Sequence, residues 1–526
     1  MTYLDESRVI DDTIYSRINN YFKKENLNKD TSLRDAFFKE NIDYFFLTED
    51  GSYSIQSREI NSKVETLHTR TGAISEAFEK FIRPMKFNYK KDINVLDICT
   101  GLAYNTTALV DDFIKNTNND TCLNVDCVEI SKATLAAGLL VPSPIKSHDI
   151  VKIAIEDALI DDDYIENKAY TNSLPSNISI NFFIDDARKI IQDLEDNKYD
   201  AIFLDPFSQV MSPELFSLDF FKHFYRVIND NGIVATYTSS SPVRSAFIRA
   251  GFHVGLGPVF GRKQGGTLAS KNPLKLDKSL PLADEVKIAL SDVGVPFRDP
   301  NLNWSTSEVT DYRQKQRHNI RHKSKISSAV KSVTFLGEDL NDEPLKRRVE
   351  RNLAKIGIKG LKSKEAYFII KPKKQYNEEY LKDNNSRTRI LEMEARLEKF
   401  LTMNNNRANS YKCGKCGEKW SLNGSSFKCP YCGSFRVDKV INKDKRKNRP
   451  LTGNPNKDYH HHRLYNNDDF GSHTHHVRHS HHHDFLYLYN IDTTGRDKNH
   501  WRKHSHKHFH DYDFHKYKKR EGCFNN

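Results

Sequence analysis

The chain has no run approaching the roughly 20 apolar residues needed to span a bilayer. Its first residues, Met1-Thr2-Tyr3-Leu4-Asp5-Glu6, lack the basic and then apolar order of a secretory signal. No membrane partner and a cytoplasmic location are therefore expected. Hydrophobic residues make up only 37% of the 526 positions, which excludes a chain packed throughout, and the length exceeds what one core serves. Two or more folded units are expected, with part of the chain unpacked. Of the eight Cys, four (Cys99, Cys122, Cys127 and Cys523) share no framework spacing, so reduced thiols are expected rather than disulfides.

The charge that is present is divided unevenly. Residues 1–300 carry 34 Lys and Arg against 44 Asp and Glu, a balance of −10, whereas residues 301–526 carry 47 against 26, a balance of +21. This division points to a catalytic body joined to an extension that binds a polyanion. A rear half that is merely solvated is the plainer alternative.

Residues 5–40 read as helical from Ile14, Ile18, Tyr21 and Phe22, and 44–55 as a short β-like unit turned at Glu49-Asp50-Gly51-Ser52. From 86 to about 270 strands near 93–99, 124–130, 179–184, 200–205 and 232–237 alternate with helices. That alternation predicts an α/β fold with a doubly wound parallel sheet. The expected organisation is a helical and hairpin segment over 1–85, the α/β domain over 86–270, its extension over 271–330 with a basic helix from Ser305 to Ser328, and a basic linker module over 331–402. That module reads as a small mixed segment followed by a charged helix from Ser386 to Phe400. A Cys cluster over 403–437 and a tail over 438–526 complete the chain. The tail is rich in Asn, Lys, Asp and His and holds 16 of the 22 His; it has too little apolar surface to offset chain entropy, so disorder is expected.

The apolar strands end in polar or Gly residues, where ligands bind in an open parallel sheet. Val95-Leu96-Asp97 turns through Gly101 into a helix starting near Tyr104, which places backbone N–H groups and a helix N-terminus beside a ligand. Cys127-Val128-Glu129, Ile184-Asp185-Asp186 and Phe203-Leu204-Asp205 supply three more acidic strand ends. This series reads as an S-adenosylmethionine site, with Asp97 near the amino group of the methionine part, Gly101 and Asn105 in the turn, Glu129 accepting from the ribose hydroxyls, and Asp186 accepting from the adenine amino group. For Asp186 the alternative is a plain helix N-cap.

Asp205-Pro206-Phe207 resembles the Asp-Pro-Pro-Tyr type element of amino-group methyltransferases, whose oxygens accept hydrogen bonds from a target nitrogen. More widely, residues 45–325 resemble the methyltransferase part of the MnmC-like family, which methylates the 5-aminomethyl group of tRNA wobble uridine. The matching elements are Thr48-Glu49-Asp50-Gly51-Ser52, His68 with Gly72-Ala73 and Glu76, the turn through Gly101 and Asn105, the strand ending Asp205-Pro206-Phe207 with Pro213-Glu214-Leu215, and Gly251-Phe252 followed by Gly261-Arg262-Lys263. The resemblance implies a class I (Rossmann-like) methyltransferase sheet, S-adenosylmethionine as cofactor and tRNA as partner. It makes Asp205 the residue that holds the amine and takes its proton, with Phe207 and His68 lining the pocket and Arg262 and Lys263 placed for phosphate contacts. Ala103 stands where the family usually has Gly. With no FAD-dependent oxidase domain in view, a different enzyme would supply the aminomethyl substrate.

Cys413-x2-Cys416 and Cys429-x2-Cys432, twelve residues apart, have the spacing of two knuckles closing a tetrahedral structural Zn site, a zinc ribbon. Lys412, Lys415, Lys419, Trp420, Lys428 and Tyr431 offer charge and stacking for RNA, although Trp420 equally suits the small core. Two other functions fit parts of the pattern: an amino-methyltransferase acting on a base of another RNA or DNA, and an inactive methyltransferase-fold adaptor. The sequence specifies no oligomeric state.

Overall fold

A computed structural model of the chain describes residues 9–59, 64–117, 120–261, 264–323, 332–371, 385–405, 409–415, 419–422 and 437–440. The expected tail, three of the four paired Cys, and Arg262 and Lys263 lie outside the described residues. The chain divides into two compact units at Arg407/Ala408.

The first unit is built on a seven-stranded sheet. Its strands are β3 (Ile93–Ile98), β4 (Leu123–Val128), β5 (Ile178–Phe183), β6 (Tyr199–Leu204), β7 (Ile228–Thr236), β8 (His253–Leu256) and β9 (Thr267–Ser270), in the order β5-β4-β3-β6-β7-β9-β8. The first five run parallel, and β9 is antiparallel to both neighbours. The order reverses direction beside β3, so the loops after β3 and β6 flank the crevice where such sheets bind ligands. Burial alternates with the two-residue period of a strand. Val95, Val125, Ala201 and Phe203 pack into one core. Leu96, Ile98, Ile202, Leu204 and Val234 pack into the other.

Helices α4 (Tyr104–Asn116), α5 (Lys132–Leu140) and α6 (Ser147–Asp161) cover the first face, and α7 (Ala187–Asp193), α8 (Leu218–Val227) and α9 (Ser241–Ala250) the second. Before the sheet come α1 (Asp12–Asn28), α2 (Arg34–Glu40), a hairpin of β1 (Phe45–Leu47) and β2 (Tyr53–Ile55), and α3 (Ala73–Ala77), which runs on through a π-helical turn at Phe78–Ile82. The stretch expected to be helical over 5–40 forms two helices. Lys29 takes the left-handed conformation and closes α1 by donating to the Glu25 carbonyl, and Asp30 turns the chain by accepting from Ser32 N–H. A buried ion cluster, Arg34 with Glu25 and Glu156, then ties both helices to α6.

After the sheet come α10 (Leu282–Leu290) and α11 (Thr306–Lys323). The segment expected to be mixed is helical at Glu343–Lys355 and Lys364–Ile370. Its Val349, Leu353, Ile356 and Ile369 share a third core with Val286 and Leu290 of α10 and Met393 of the helix Ser386–Asn405. In the second unit, β10 (Asn409–Cys413), β11 (Lys419–Leu422) and β12 (Val437–Val440) form an antiparallel sheet in the order β11-β10-β12.

Candidate active site

Between β3 and α4 the chain makes a turn in which Cys99, Gly101 and Ala103 all have positive φ, at 63°, 58° and 63°. Only Gly adopts this region without cost, so two of the three positions are strained and must be held by their surroundings. They are held from both sides. Cys99 and Thr100 N–H donate to the Val128 carbonyl at 2.9 and 3.2 Å. Gly101 N–H donates to Glu129 Oε2 and Ser131 N–H to Glu129 Oε1, both at 3.0 Å. On the far side the buried His148 ring meets the Leu102 carbonyl at 3.3 Å through Nε2. Burial pushes His148 down to about 3, so the ring is neutral and Nε2 carries the donated hydrogen. Ala103 thus adopts the conformation that a Gly would take.

Asp97, at the floor of this turn, is fully buried. One oxygen accepts from Thr106 Oγ1 at 2.7 Å, and the other, Oδ1, has no partner among the described residues. Burial, reinforced by the charges of Asp205 and Glu129 and opposed by Thr106, pushes its carboxyl up to about 7. A buried carboxylate oxygen without a donor is costly, and it is suited to receive one from a ligand.

Asp205 follows β6 and is half-buried; Asn105 Nδ2, in the first turn of α4, donates to its Oδ2 at 3.1 Å. Burial raises its pKa, opposed by nearby His68 and by Asn105. The loop continues through half-buried Phe207 to Ser208, whose N–H donates to Glu65 at 2.8 Å and whose hydroxyl meets the same carboxylate. That clamp joins the Asp205 loop to the segment bearing His68.

His68 Nδ1 lies 3.8 Å from Glu76 on α3, and its ring meets Tyr104 edge-on at 5.5 Å. Glu76 also takes Lys80 at 2.7 Å and Thr69 Oγ1 at 2.8 Å. Burial would raise the Glu76 carboxyl, but His68 and Lys80 outweigh it and hold the group far below the usual range. Gly261 reaches the same place with φ 63°, and a Cβ there would lie 2.9 Å from Thr69 Oγ1. Gly72 packs so closely on Asp50 that a Cβ would sit 2.1 Å from its Oδ2. That Asp50 accepts from Thr48, from Ser52 and from Ser75 N–H, fixing the start of α3. The scattered sequence elements around 48–52, 68–76, 105, 205 and 261 are thus linked by contacts that position Glu76 and His68 beside Asp205.

Asp186 stands apart from this set. It caps α7 through Arg188 N–H at 2.8 Å and pairs with the Arg188 guanidinium at 2.6 Å, which itself holds Asp299. Glu65, Lys80, Tyr104 and His148 were not singled out by sequence reasoning; each is a lone residue in a helical or irregular stretch, and only the fold brings it to the site.

Residues 152–272 match a protein family described as S-adenosyl-L-methionine-dependent methyltransferase. The chain is 32% identical over 337 residues, 63% of its own length and 90% of the relative's, to the uncharacterized protein MJ0670 of Methanocaldococcus jannaschii. The chain belongs to the S-adenosyl-L-methionine-dependent methyltransferases. A shorter stretch of this methyltransferase, 93 residues or 18% of the chain, is 33% identical to 14% of the tRNA 5-methylaminomethyl-2-thiouridine biosynthesis bifunctional protein MnmC of Ralstonia nicotianae. Among solved structures, MNMC2 from Aquifex aeolicus aligns with a TM-score of 0.42 and 26% identity, over 58% of this methyltransferase and 99% of that chain. Among the described residues no helix is long and apolar enough to cross a membrane.

Proposed function

We propose that this methyltransferase acts on a primary amine, the 5-aminomethyl group of a wobble uridine in tRNA. The observation that carries the reading is the Asp205-Pro206-Phe207 loop, which presents a half-buried carboxylate tied to Asn105 at the end of the strand next to the cofactor turn. The biosynthetic role named for the Ralstonia relative, over the stretch it shares, supports the tRNA substrate.

The residues around the turn fit S-adenosylmethionine. Asp97 offers a buried, unpartnered Oδ1 to an ammonium group. Gly101 keeps the turn open, since a Cβ there would meet nothing nearer than 3.9 Å. Each Glu129 oxygen accepts one backbone N–H and has a lone pair left for a ribose hydroxyl. Asp186, which stands apart with its carboxylate on Arg188 and the start of α7, serves in this reading as the acceptor for the adenine amino group through its remaining lone pairs. Bound there, the cofactor supplies a methyl group activated by its sulfonium for in-line attack by nitrogen. Asp205 accepts N–H bonds from the amine, aims its lone pair, and takes the proton released as the new N–C bond forms and the sulfonium S–C bond breaks, its electron pair leaving on the thioether sulfur. Its raised pKa suits it to that proton, and Asn105 fixes the carboxylate while Phe207 and His68 line the amine pocket.

The four paired Cys hold one structural zinc in this reading. Cys413, the one of the four among the described residues, ends β10 buried, and its Sγ accepts Lys415 N–H at 3.3 Å. Thiolate donors suit a closed tetrahedral site.

Nucleoside mass spectrometry of tRNA from a strain lacking the protein tests the substrate. Loss of the methylaminomethyl uridine with accumulation of its aminomethyl precursor is expected; an unchanged nucleoside profile would reject it.

A further inference from the structure

The cofactor turn and the Asp205 loop lie within residues 1–300, whose charge balance is −10. A body of that sign gives a polyanion no net attraction, so beyond the local pair Arg262 and Lys263 a basic surface outside it would add affinity for RNA. The helical segment over 332–371 presents one. Its apolar side is turned into the third core through Val349, Leu353 and Ile356. Its other side exposes Arg347, Arg348, Arg351 and Lys355.

Positions 347, 351 and 355 are one helical turn apart and form a single stripe, an arrangement of like charges that destabilises an isolated helix. Glu343, at the start of the same stripe, offsets it only in part, since its carboxylate lies 3.6 Å from Lys346. The Nε groups of Arg347 and Arg351 reach only the carbonyls of Glu343 and Arg347, each at 3.3 Å, and no described carboxylate pairs with Arg347, Arg348 or Arg351. The charge continues past the helix. Residues 346–364 contain eight Lys and Arg and one acidic residue, Glu350, and Lys359 and Lys364 are exposed as well. Phe368, 44% exposed, follows Lys364 by one turn of the next helix and shares its face.

We propose that this face is the surface on which the methyltransferase binds the phosphate backbone of its RNA. The inference rests on the tRNA reading above. Guanidinium groups suit phosphate oxygens, which they meet with paired N–H donors. The exposed Phe368 ring on the following helix, one turn from Lys364, suits an unstacked base, which single-stranded RNA loops provide and an acidic protein segment does not. The arrangement separates gripping the polymer, done by the stripe, from orienting the amine, done at Asp205.

The test uses the full chain and unfractionated tRNA, with binding measured across a salt series. The triple variant R347Q/R348Q/R351Q should make the slope of log K against log salt shallower by about 2–3 and weaken binding on the order of a hundred-fold at 0.1 M salt. S-adenosylmethionine affinity and thermal midpoint should not change, and KM for tRNA should rise while kcat stays. R347K/R348K/R351K should keep most of the slope. Should the glutamine triple fail to fold, K355Q/K359Q gives an independent reading, with a slope shallower by about 1–2. A wild-type protein that binds tRNA with strong salt dependence, matched by the glutamine variants, would overturn the surface and leave the tRNA reading standing. Variants that lose heparin but keep tRNA would overturn it too. A wild-type protein with no salt-dependent affinity for tRNA would overturn both.

Discussion

Asn105 Nδ2 donates to Asp205 Oδ2 at 3.1 Å, joining two residues a hundred positions apart. It links the helix that follows the β3 turn to the loop that follows β6, so the start of α4 also sets the carboxylate proposed to hold the amine.

Asp205→Asn removes the proton acceptor while keeping size and one acceptor oxygen. Methyl transfer in single-turnover assays should slow by about 10²–10⁴-fold. S-adenosylmethionine and tRNA affinities should be retained. Asn105→Ala removes only the orienting bond, and a loss of about fivefold is expected, in line with a net hydrogen bond of about 1 kcal/mol. An Asp205→Asn enzyme with full turnover would remove Asp205 from proton transfer.

The pKa of Asp97 sets a pH dependence whose sign is fixed. Its carboxyl sits at about 7 in the folded protein against an ordinary 3.8, so the cofactor-free folded state binds that proton more tightly than the unfolded chain. The associated stability is present at low pH and is lost as pH rises from about 4 through 7. The loss is on the order of 4 kcal/mol at most. Urea denaturation of Asp97→Asn should therefore show a gain over wild type at pH 8 that disappears near pH 4. The same substitution should weaken cofactor binding, because the ionised carboxylate is the proposed partner of the cofactor's ammonium group. A stability difference independent of pH would contradict the assignment.

The strained turn gives a third expectation. Ala103→Gly relieves a left-handed alanine and should stabilise the protein by ~1 kcal/mol. Gly101→Ala should cost about as much, through strain alone, because no atom lies within 3.9 Å of the added Cβ. Thermal melts of the two variants should move in opposite directions.

The five parallel strands were legible in the sequence because each is an apolar run closed by a polar or Gly residue, and the observed bounds fall within a few residues of the expected ones. The antiparallel pair β8 and β9 was not, since each is four residues long and the intervening loop is rich in Gly. Those glycines answer to close packing that only the fold creates: a Cβ on Gly265 would lie 2.1 Å from the Gly257 carbonyl oxygen, and one on Gly266 2.2 Å from that of Thr236. At the site, Asp97, Gly101, Glu129 and Asp205 announced themselves at strand ends. The Glu65 clamp on Ser208 and the His148 contact to Leu102 come from sequence-distant segments with no pattern of their own. For the helical segment 343–370, the basic residues masked an apolar periodicity that becomes plain once Val349, Leu353 and Ile356 are seen on one face.

For the paired Cys, chelation should unfold the region around Cys413 to Cys432 while the first unit keeps its thermal transition, because a four-thiolate site contributes folding free energy locally. Metal analysis of protein lacking the His-rich tail should give about one zinc per chain. Finding none would refute the ribbon.

The central claim is most directly tested by incubating the purified protein with methyl-labelled S-adenosylmethionine and tRNA bearing 5-aminomethyl uridine at the wobble position, then digesting the tRNA and identifying the labelled nucleoside by mass spectrometry. The label is expected on the aminomethyl nitrogen, in wild type and not in Asp205→Asn. Label on a ring atom, on a ribose or on no nucleoside would contradict the account.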